Sequence, residues 1–368
     1  MRVLVLGAGL IGLSVADELL RRGHRVTVVD PAPGQGTSYA AAGMLSPGSE
    51  VWHGEAEILR LGLRSLALWP SYAERLGVSL HCTGTLLVGQ DRGDLQQVER
   101  QAELLAGLGD RPRMLTGPQA RAAEPTLGPR VVGGALLPED HSVDPREVLA
   151  ALLDRVGRPA KWLSGRPERR TSRRTSCDVA AAATGTQDVS KVGKYDATVV
   201  ATGATLPEPW RHLVRGVRGE ILRGHTDDPP KRTVRAWVHG QPVYVVPRPG
   251  GDLVIGATNE EHDVPPEVTF GGVFTLVEAA RALLPGLDRA TFTEALARDR
   301  PATSDNLPLL GPAPDRDDVV LAAGFFRHGV LLAPLAARLV ADHLESGSVE
   351  PLLDPGRFTR STTEGARC

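Results

Sequence analysis

The chain has 368 residues, more than one ordinary hydrophobic core organises, so two domains are expected. Its 41% hydrophobic and 23% charged content is that of a folded globular protein, and a net charge of -2 leaves no basic field to attract nucleic acid. Cys82, Cys177 and Cys368 lack metal-ligand spacing, so no metal site is expected, and no apolar run reaches the length of a membrane span. Met1-Arg2 leads straight into the first apolar stretch without a charged-then-apolar leader, so the cytoplasm is the expected location.

Residues 3–6 are a short uncharged apolar run, which reads as a buried parallel strand. Gly7-Ala8-Gly9-Leu10-Ile11-Gly12 follows, then a helical pattern over 13–22 that Gly23 stops, then an apolar strand over 25–29 ending at Asp30. Gly7 allows a tight strand-to-helix turn, Gly9 lets a pyrophosphate approach the backbone, and Gly12 lets helix and strand pack closely. The helix N-terminus offers free N–H groups and a partial positive charge to phosphates. Asp30 can accept hydrogen bonds from ribose hydroxyls. Strand, turn, helix, strand and terminal acid at this spacing point to a dinucleotide, without saying which one.

A Pro/Gly loop over 31–36 leads to Thr37-Ser38-Tyr39-Ala40-Ala41-Ala42-Gly43-Met44-Leu45. Its small side chains let backbone N–H groups approach a planar ligand; a plain buried turn fits the same residues. Ile58, Leu61, Leu63, Leu66 and Leu68 predict a long helix over 55–75, interrupted near Pro70. A strand over 82–88, a helix over 95–108 and a strand over 131–137 are expected next. Asp144-Pro145-Arg146-Glu147 opens a helix that runs to about 156, with an acidic N-cap and proline at the first helical position. Residues 164–194, rich in Arg, Ser, Thr and Gly, read as poor hairpins or a surface segment. Within it, Arg169-Arg170-Thr171-Ser172-Arg173-Arg174 has no interleaved aromatics and reads as a solvated loop rather than a nucleic-acid patch.

Residues 195–201 form another buried strand that returns to the first sheet, ahead of Thr202-Gly203-Ala204. The pattern then changes. Short strands over 217–222, 234–238, 243–246, 253–257 and 292–297, with a helix over 270–283, predict an antiparallel sheet. A strand over 319–323, a turn over 324–328 and a helix over 330–344 return to nucleotide-domain character, and the polar end over 355–368 is expected to fray.

Taken together, these motifs resemble the flavin-dependent amine and D-amino-acid oxidases, and within that family the glycine oxidases of thiamin biosynthesis. The resemblance covers nearly the whole chain. It is carried by the glycine motif with Asp30, by Ala40-Ala41-Ala42-Gly43-Met44-Leu45, by Val243-Tyr244-Val245-Val246-Pro247-Arg248 and by Ile255-Gly256-Ala257-Thr258. Arg300-Pro301-Ala302-Thr303-Ser304-Asp305 and the run from Gly324-Phe325-Phe326-Arg327-His328-Gly329 to Val330-Leu331-Leu332-Ala333-Pro334 add the most specific part. The resemblance implies an α/β fold: a Rossmann-like FAD-binding domain from 1–80, 142–216 and 300–368, plus an α+β substrate domain with an antiparallel sheet from 81–141 and 217–299.

The same resemblance implies non-covalent FAD as the cofactor. It assigns the nucleotide to Gly7, Gly9, Leu10, Ile11, Gly12 and Asp30, and adds Thr37, Ser38, Ala41, Ala42, Gly43 and Met44. It also assigns Val143, Ala201, Thr202 and Gly203, with Arg300, Arg327, His328, Gly329, Val330 and Leu331. Arg300 takes the substrate carboxylate, with Arg327 at the same site. A bidentate guanidinium contributes roughly 1.5–3 kcal/mol per charge-assisted bond. Tyr244 bonds the carboxylate or closes its entrance, and Met44 and Ala42 pack near the flavin ring. On the residues alone, the two arginines also read as surface ion pairs, and Tyr244 as a core tyrosine between Val243 and Val245. Two departures stand out. Related glycine oxidases carry histidine where this chain has Pro242, which alters the pocket on the amine side. The cysteine that anchors FAD in monomeric sarcosine oxidases falls at Arg298, hence the expectation of a non-covalent cofactor.

The implied reaction is oxidative deamination of glycine or an N-substituted glycine. Hydride passes from Cα to flavin N5, the imine hydrolyses to glyoxylate plus ammonia or an amine, and O2 becomes H2O2. The implied partners are a small amino-acid or secondary-amine substrate and O2; a homo-oligomer is compatible, and no nucleic acid or membrane is expected. The alternatives are a tailoring oxidase that removes a carboxymethyl group from a longer secondary amine, and a D-amino-acid oxidase. A nicotinamide dehydrogenase and a flavoprotein binding subunit without oxidase activity are the readings from other classes.

Overall fold

The uncharged run after Arg2 forms the strand Arg2–Leu6, with Val3 and Val5 facing one apolar cluster and Leu4 and Leu6 another. A strand buried on both faces is what a central parallel position requires. Arg25–Val29 pairs with it on one side and Ala197–Val200 on the other, both parallel. The computed structural model describes residues 1–110, 112–157, 160–163, 194–261 and 264–358; the Arg/Ser/Thr-rich run over 164–193 and the end over 359–368 lie outside the described residues. The full order of this six-stranded sheet is Leu309–Ala313, Arg316–Ala323, Ala197–Val200, Arg2–Leu6, Arg25–Val29, Lys161–Leu163. Only the edge strand Leu309–Ala313 is antiparallel to its neighbour. The helices Leu10–Arg21, Pro145–Gly157 and Gly329–Ser346 cover one face through Leu13, Leu19, Leu152, Leu335 and Val340.

The second sheet has eight strands in the order Thr291–Ala302, Arg215–His225, Asp252–Gly256, Gln241–Pro247, Thr233–Val238, Thr85–Gly89, Gly133–Leu137, Arg113–Thr116. All neighbours are antiparallel except Thr233–Val238 beside Thr85–Gly89. The helix Phe270–Leu283 packs Leu276, Ala279 and Leu283 onto Val234, Ala236, Val243 and Val245. Side chains alternate along a strand, so Arg235, Tyr244 and their neighbours point to the opposite face. There Ile221, Val246 and Val254 meet Ala40, Ala42 and Met44 of the first layer.

The fold matches the expected α/β class, with differences in detail. The helix expected over 55–75 with an interruption near Pro70 is two helices, Ala56–Leu66 and Trp69–Leu76, the break falling just before that proline. Pro70 stands in the first turn of the second, where its missing N–H costs nothing. Arg113–Thr116 and Leu309–Ala313 were not expected. The first is mostly exposed, so it carries no apolar period, and the second contains Gly311 and Pro312, which read as a turn. The strand expected over 292–297 runs on to Ala302, its later half hidden by Arg298, Asp299 and Arg300. Asp144 does cap its helix, accepting the Arg146 backbone N–H at 2.9 Å. No helix among the described residues is long and apolar enough to cross a membrane.

Candidate active site

At the nucleotide end the site is built from backbone. Gly7 has φ +102°, and a Cβ there would fall 2.2 Å from the Ala201 carbonyl oxygen; at Gly12 it would fall 2.0 Å from the Gly7 oxygen. Neither position admits a side chain, because the helix Leu10–Arg21 leaves its strand in one tight turn. At Gly9 the nearest atom to such a Cβ is Ser38 Oγ at 3.4 Å. Ser38 Oγ accepts the Leu10 N–H at 3.1 Å. The Asp30 carboxylate accepts the Ala8 N–H at 2.6 Å and the Ala32 N–H at 2.7 Å, which holds it at the mouth of the glycine turn.

One cavity of about 610 Å³ starts here, runs along Thr37, Ser38 and the loop Ala40 to Met44, and ends between the two sheets at Tyr244, Arg300 and Arg327. The loop is pinned from behind. Gly43 has φ +75°, and a Cβ on it would strike the Val143 oxygen at 2.0 Å, while Val143 N–H donates to Gly43 O at 2.9 Å. The buried Arg248 guanidinium donates to the Ala42 carbonyl. Bare glycine backbone, a helix N-terminus, an acid at the end of the second strand and a flat small-residue wall fit an elongated dinucleotide such as FAD.

The far end is built from charged side chains. Arg300 lies on Thr291–Ala302, and a Cβ on Gly219 would overlap its guanidinium at 2.3–2.4 Å, so the glycine is what gives this arginine its place. Nη1 donates to the carbonyls of Thr258 at 3.1 Å and Arg218 at 3.3 Å. No carboxylate pairs with Arg300 among the described residues, whereas Asp299, on the opposite face of the strand, takes Arg218. Tyr244 lies against Gly256, where a Cβ would come within 2.3 Å of its hydroxyl. Burial pushes the Tyr244 phenol up from its usual range, with Arg300 opposing, so it is a neutral donor.

Around this pair stand two ion pairs. Arg235, the cross-strand partner of Tyr244, holds Glu50 at 2.9 Å and approaches Met44 Sδ at 3.9 Å. Arg327 Nη2 donates to both Glu55 oxygens, at 3.1 and 2.9 Å. Its guanidinium lies 4.7 Å from the Phe326 ring centre and 5.6 Å from that of Trp52. Burial pushes Arg327 down from the usual arginine range, with Glu55 opposing. His328 is buried behind it and is pushed down to about 4 by desolvation, so it is neutral at pH 7.

Most residues expected at the site face this cavity: Gly7, Gly9, Leu10, Ile11, Asp30, Thr37, Ser38, Ala41 to Met44, Ala201 to Gly203, Tyr244, Arg300, Arg327, Gly329 and Val330. Gly12, Val143, His328 and Leu331 do not line it; they stand behind as packing partners, and the Leu331 carbonyl accepts Trp69 Nε1 at 2.9 Å. The lining residues that the sequence did not single out include Glu50, Trp52 and Arg235, and Arg298 joins them as a cation rather than a cofactor anchor. Arg235 carried a signal, since it interrupts Val234, Ala236 and Val238 with strict alternation, and Arg298 shares the face of Arg300 two residues on. Glu50 and Trp52 carried none.

A nucleotide-binding parallel sheet that shares one cavity with an arginine-bearing antiparallel sheet is the architecture of a flavin-dependent oxidoreductase. Residues 2–343 match the family model described as FAD dependent oxidoreductase (DAO). The chain is 31% identical to the glycine oxidase of Geobacillus kaustophilus, over 97% of this chain and 96% of that protein. It is 33% identical to the putative thiamine biosynthesis oxidoreductase ThiO of Rhizobium etli, over 95% of this chain and 98% of that one. The crystal structure of glycine oxidase from Geobacillus kaustophilus superposes with a TM-score of 0.82 at 29% identity, covering 97% of this chain and 99% of the other. The chain belongs to the FAD dependent oxidoreductase family.

Proposed function

We propose that this chain oxidises glycine or an N-substituted glycine to the imine, which hydrolyses to glyoxylate plus ammonia or an amine, with O2 reduced to H2O2. Arg300 carries the reading: a cation without an acidic partner among the described residues, set beside a neutral phenol at the end of a dinucleotide cavity. The glycine oxidase and ThiO names of the relatives point the same way and suggest a place in thiamin synthesis.

Gly7, Gly9, Leu10, Ile11 and Asp30 would hold the adenine half of FAD, and the Ala41 to Met44 wall with Gly329 and Val330 the flavin half. Arg298 stands where a covalent anchor would need a cysteine, so the cofactor is held non-covalently. Bound FAD supplies the hydride acceptor and passes the electrons on to O2.

The chain itself supplies orientation. Arg300 holds the substrate carboxylate and Tyr244 donates to it, which fixes the Cα–H in one direction. Glu50 is tied to Arg235 and Glu55 to Arg327, so these two cations near the clamp are already matched by acids while Arg300 is left for the substrate. The 18-residue helix Gly329–Ser346 points its positive end at the cavity, where it favours negative charge.

The test is peroxide and glyoxylate release by the purified holoenzyme from glycine and sarcosine. Stoichiometric glyoxylate and peroxide support the reading; neither product from either amine contradicts it. Free FAD in the supernatant after mild denaturation supports the non-covalent assignment, and flavin that stays with the precipitate contradicts it.

A further inference from the structure

The cavity continues past Arg300, and its wall changes character there. Arg235–Tyr244 and Trp237–Pro242 are successive cross-strand pairs on the cavity face of the antiparallel sheet. Same-face residues on a strand lie about 6.8 Å apart. Glycine spans only about 2.5 Å from carboxyl carbon to amine nitrogen. A glycine held between Arg300 and Tyr244 therefore leaves the wall at Pro242 uncovered.

That wall is apolar and aromatic. Pro242, Phe326 and Trp52 all line the cavity, and Trp52 is 46% exposed. The Trp52 ring packs edge-on against Trp237, with centroids 5.8 Å apart and planes at 74°. Phe326 sits at φ +45°, an uncommon conformation for an aromatic residue, which turns its ring towards the Arg327 guanidinium. The nearby charge is already matched, because Arg327 is held by Glu55. Glu55 also fixes Trp52: it accepts the Trp52 backbone N–H at 3.1 Å and Asn306 Nδ2 at 3.3 Å. A large ring is thus left half in water yet fastened in place, in the same cavity as Arg300 and Tyr244.

We propose that Trp52, Pro242 and Phe326 form a subsite for the N-substituent of a secondary glycine, selective for an apolar or aromatic group of about benzyl size. This rests on the reading of the site as an N-substituted glycine oxidase and adds the residues that choose among such amines. The reaction balances as R–NH–CH2–COO⁻ plus O2 plus H2O giving R–NH2, glyoxylate and H2O2. The Cα–H bond breaks and its two electrons end on O2. Water then cleaves the C=N bond, and R leaves on the free amine.

The test compares glycine, sarcosine and N-benzylglycine by peroxide release from the holoenzyme. Alongside, glycolate and benzyloxyacetate, acids without an amine to oxidise, are titrated by tryptophan-fluorescence quenching and by the shift in flavin absorbance. The expected result is a kcat/KM for N-benzylglycine at least tenfold above that for sarcosine, and benzyloxyacetate bound at least tenfold tighter than glycolate. Both ratios fall at least fivefold in Trp52→Ala and by less in Trp52→Phe. A wild-type preference for glycine over N-benzylglycine, or ratios unmoved by both Trp52 substitutions, overturns the subsite. Peroxide from glycine and sarcosine but none from N-benzylglycine keeps the oxidase reading and overturns the subsite. Tight benzyloxyacetate binding with no peroxide from any amine keeps the subsite and overturns the oxidase reading.

Discussion

The two ends of the cavity work by different means. At the nucleotide end the active parts are atoms that are missing: Gly7 and Gly12 leave no room for a Cβ, and Gly9 leaves backbone bare. At the substrate end the active parts are long charged side chains, each placed by a strand and a neighbour that gives way, as Gly219 does for Arg300. Backbone function tolerates almost no substitution, because a carbon atom cannot occupy 2 Å of space. Side-chain function is graded, because a guanidinium can shift, lose one bond or be replaced by another cation.

That contrast can be broken by substitution. The largest effect is expected at Gly12→Ala, whose new methyl would sit 2.0 Å from the Gly7 oxygen and must push the helix off its strand. Such overpacking costs typically about 1–3 kcal/mol or more. The purified variant should carry little flavin, read from the ratio of visible to 280 nm absorbance; a wild-type ratio would mean that this close packing does not hold the nucleotide site.

A smaller and selective effect is expected at Gly219→Ala. The added methyl meets the Arg300 guanidinium rather than backbone, and a flexible side chain can move. KM for glycine should rise on the order of 10- to 100-fold, or about 1.4–2.8 kcal/mol, with flavin content unchanged. Loss of flavin together with activity would show that the two ends are not separable.

A further effect, on stability rather than on either end of the cavity, concerns pH. His328 is held neutral by burial, with a folded pKa of about 4 against an ordinary 6.5. Below 6.5 the unfolded chain takes up a proton that the native state refuses, so stability is lost as pH falls from 6.5 through 4. The difference amounts to about 3 kcal/mol as an upper figure. In His328→Gln the fall in Tm between pH 7 and pH 4 should be shallower than in wild type. An unchanged slope would mean that His328 is not buried neutral.

The same contrast explains what could be read from the sequence. The glycine motif, its flanking strands and Asp30 are contiguous, so spacing alone conveys a tight turn, a helix and an acid. The Asp144 cap and the returning strand Ala197–Val200 were legible for the same local reasons. Arg300, Arg327 and Tyr244 were assigned through family resemblance and not through pattern, since a lone arginine in a charged run gives no sign of its partner. The structure adds that Arg327 already has one in Glu55, 272 residues away, while no acid pairs with Arg300 among the described residues. Glu50 and Trp52 reach the cavity only because two short helices, Pro47–Glu50 and Ala56–Leu66, fold back beside the antiparallel sheet, and no local period encodes that. Arg235 was readable in principle: it and Trp237 are the outward positions of an otherwise apolar strand.

The central claim is that Arg300 clamps a substrate carboxylate in a cavity whose cofactor is held elsewhere. Steady-state peroxide kinetics of Arg300→Ala with glycine, combined with its flavin spectrum, tests this most directly. The account predicts full FAD content and a kcat/KM lower by on the order of 10² to 10⁴, the loss of a charge-assisted bidentate contact and of the orientation it enforces. Unchanged kcat/KM, or an apoprotein with no flavin to measure, would contradict it.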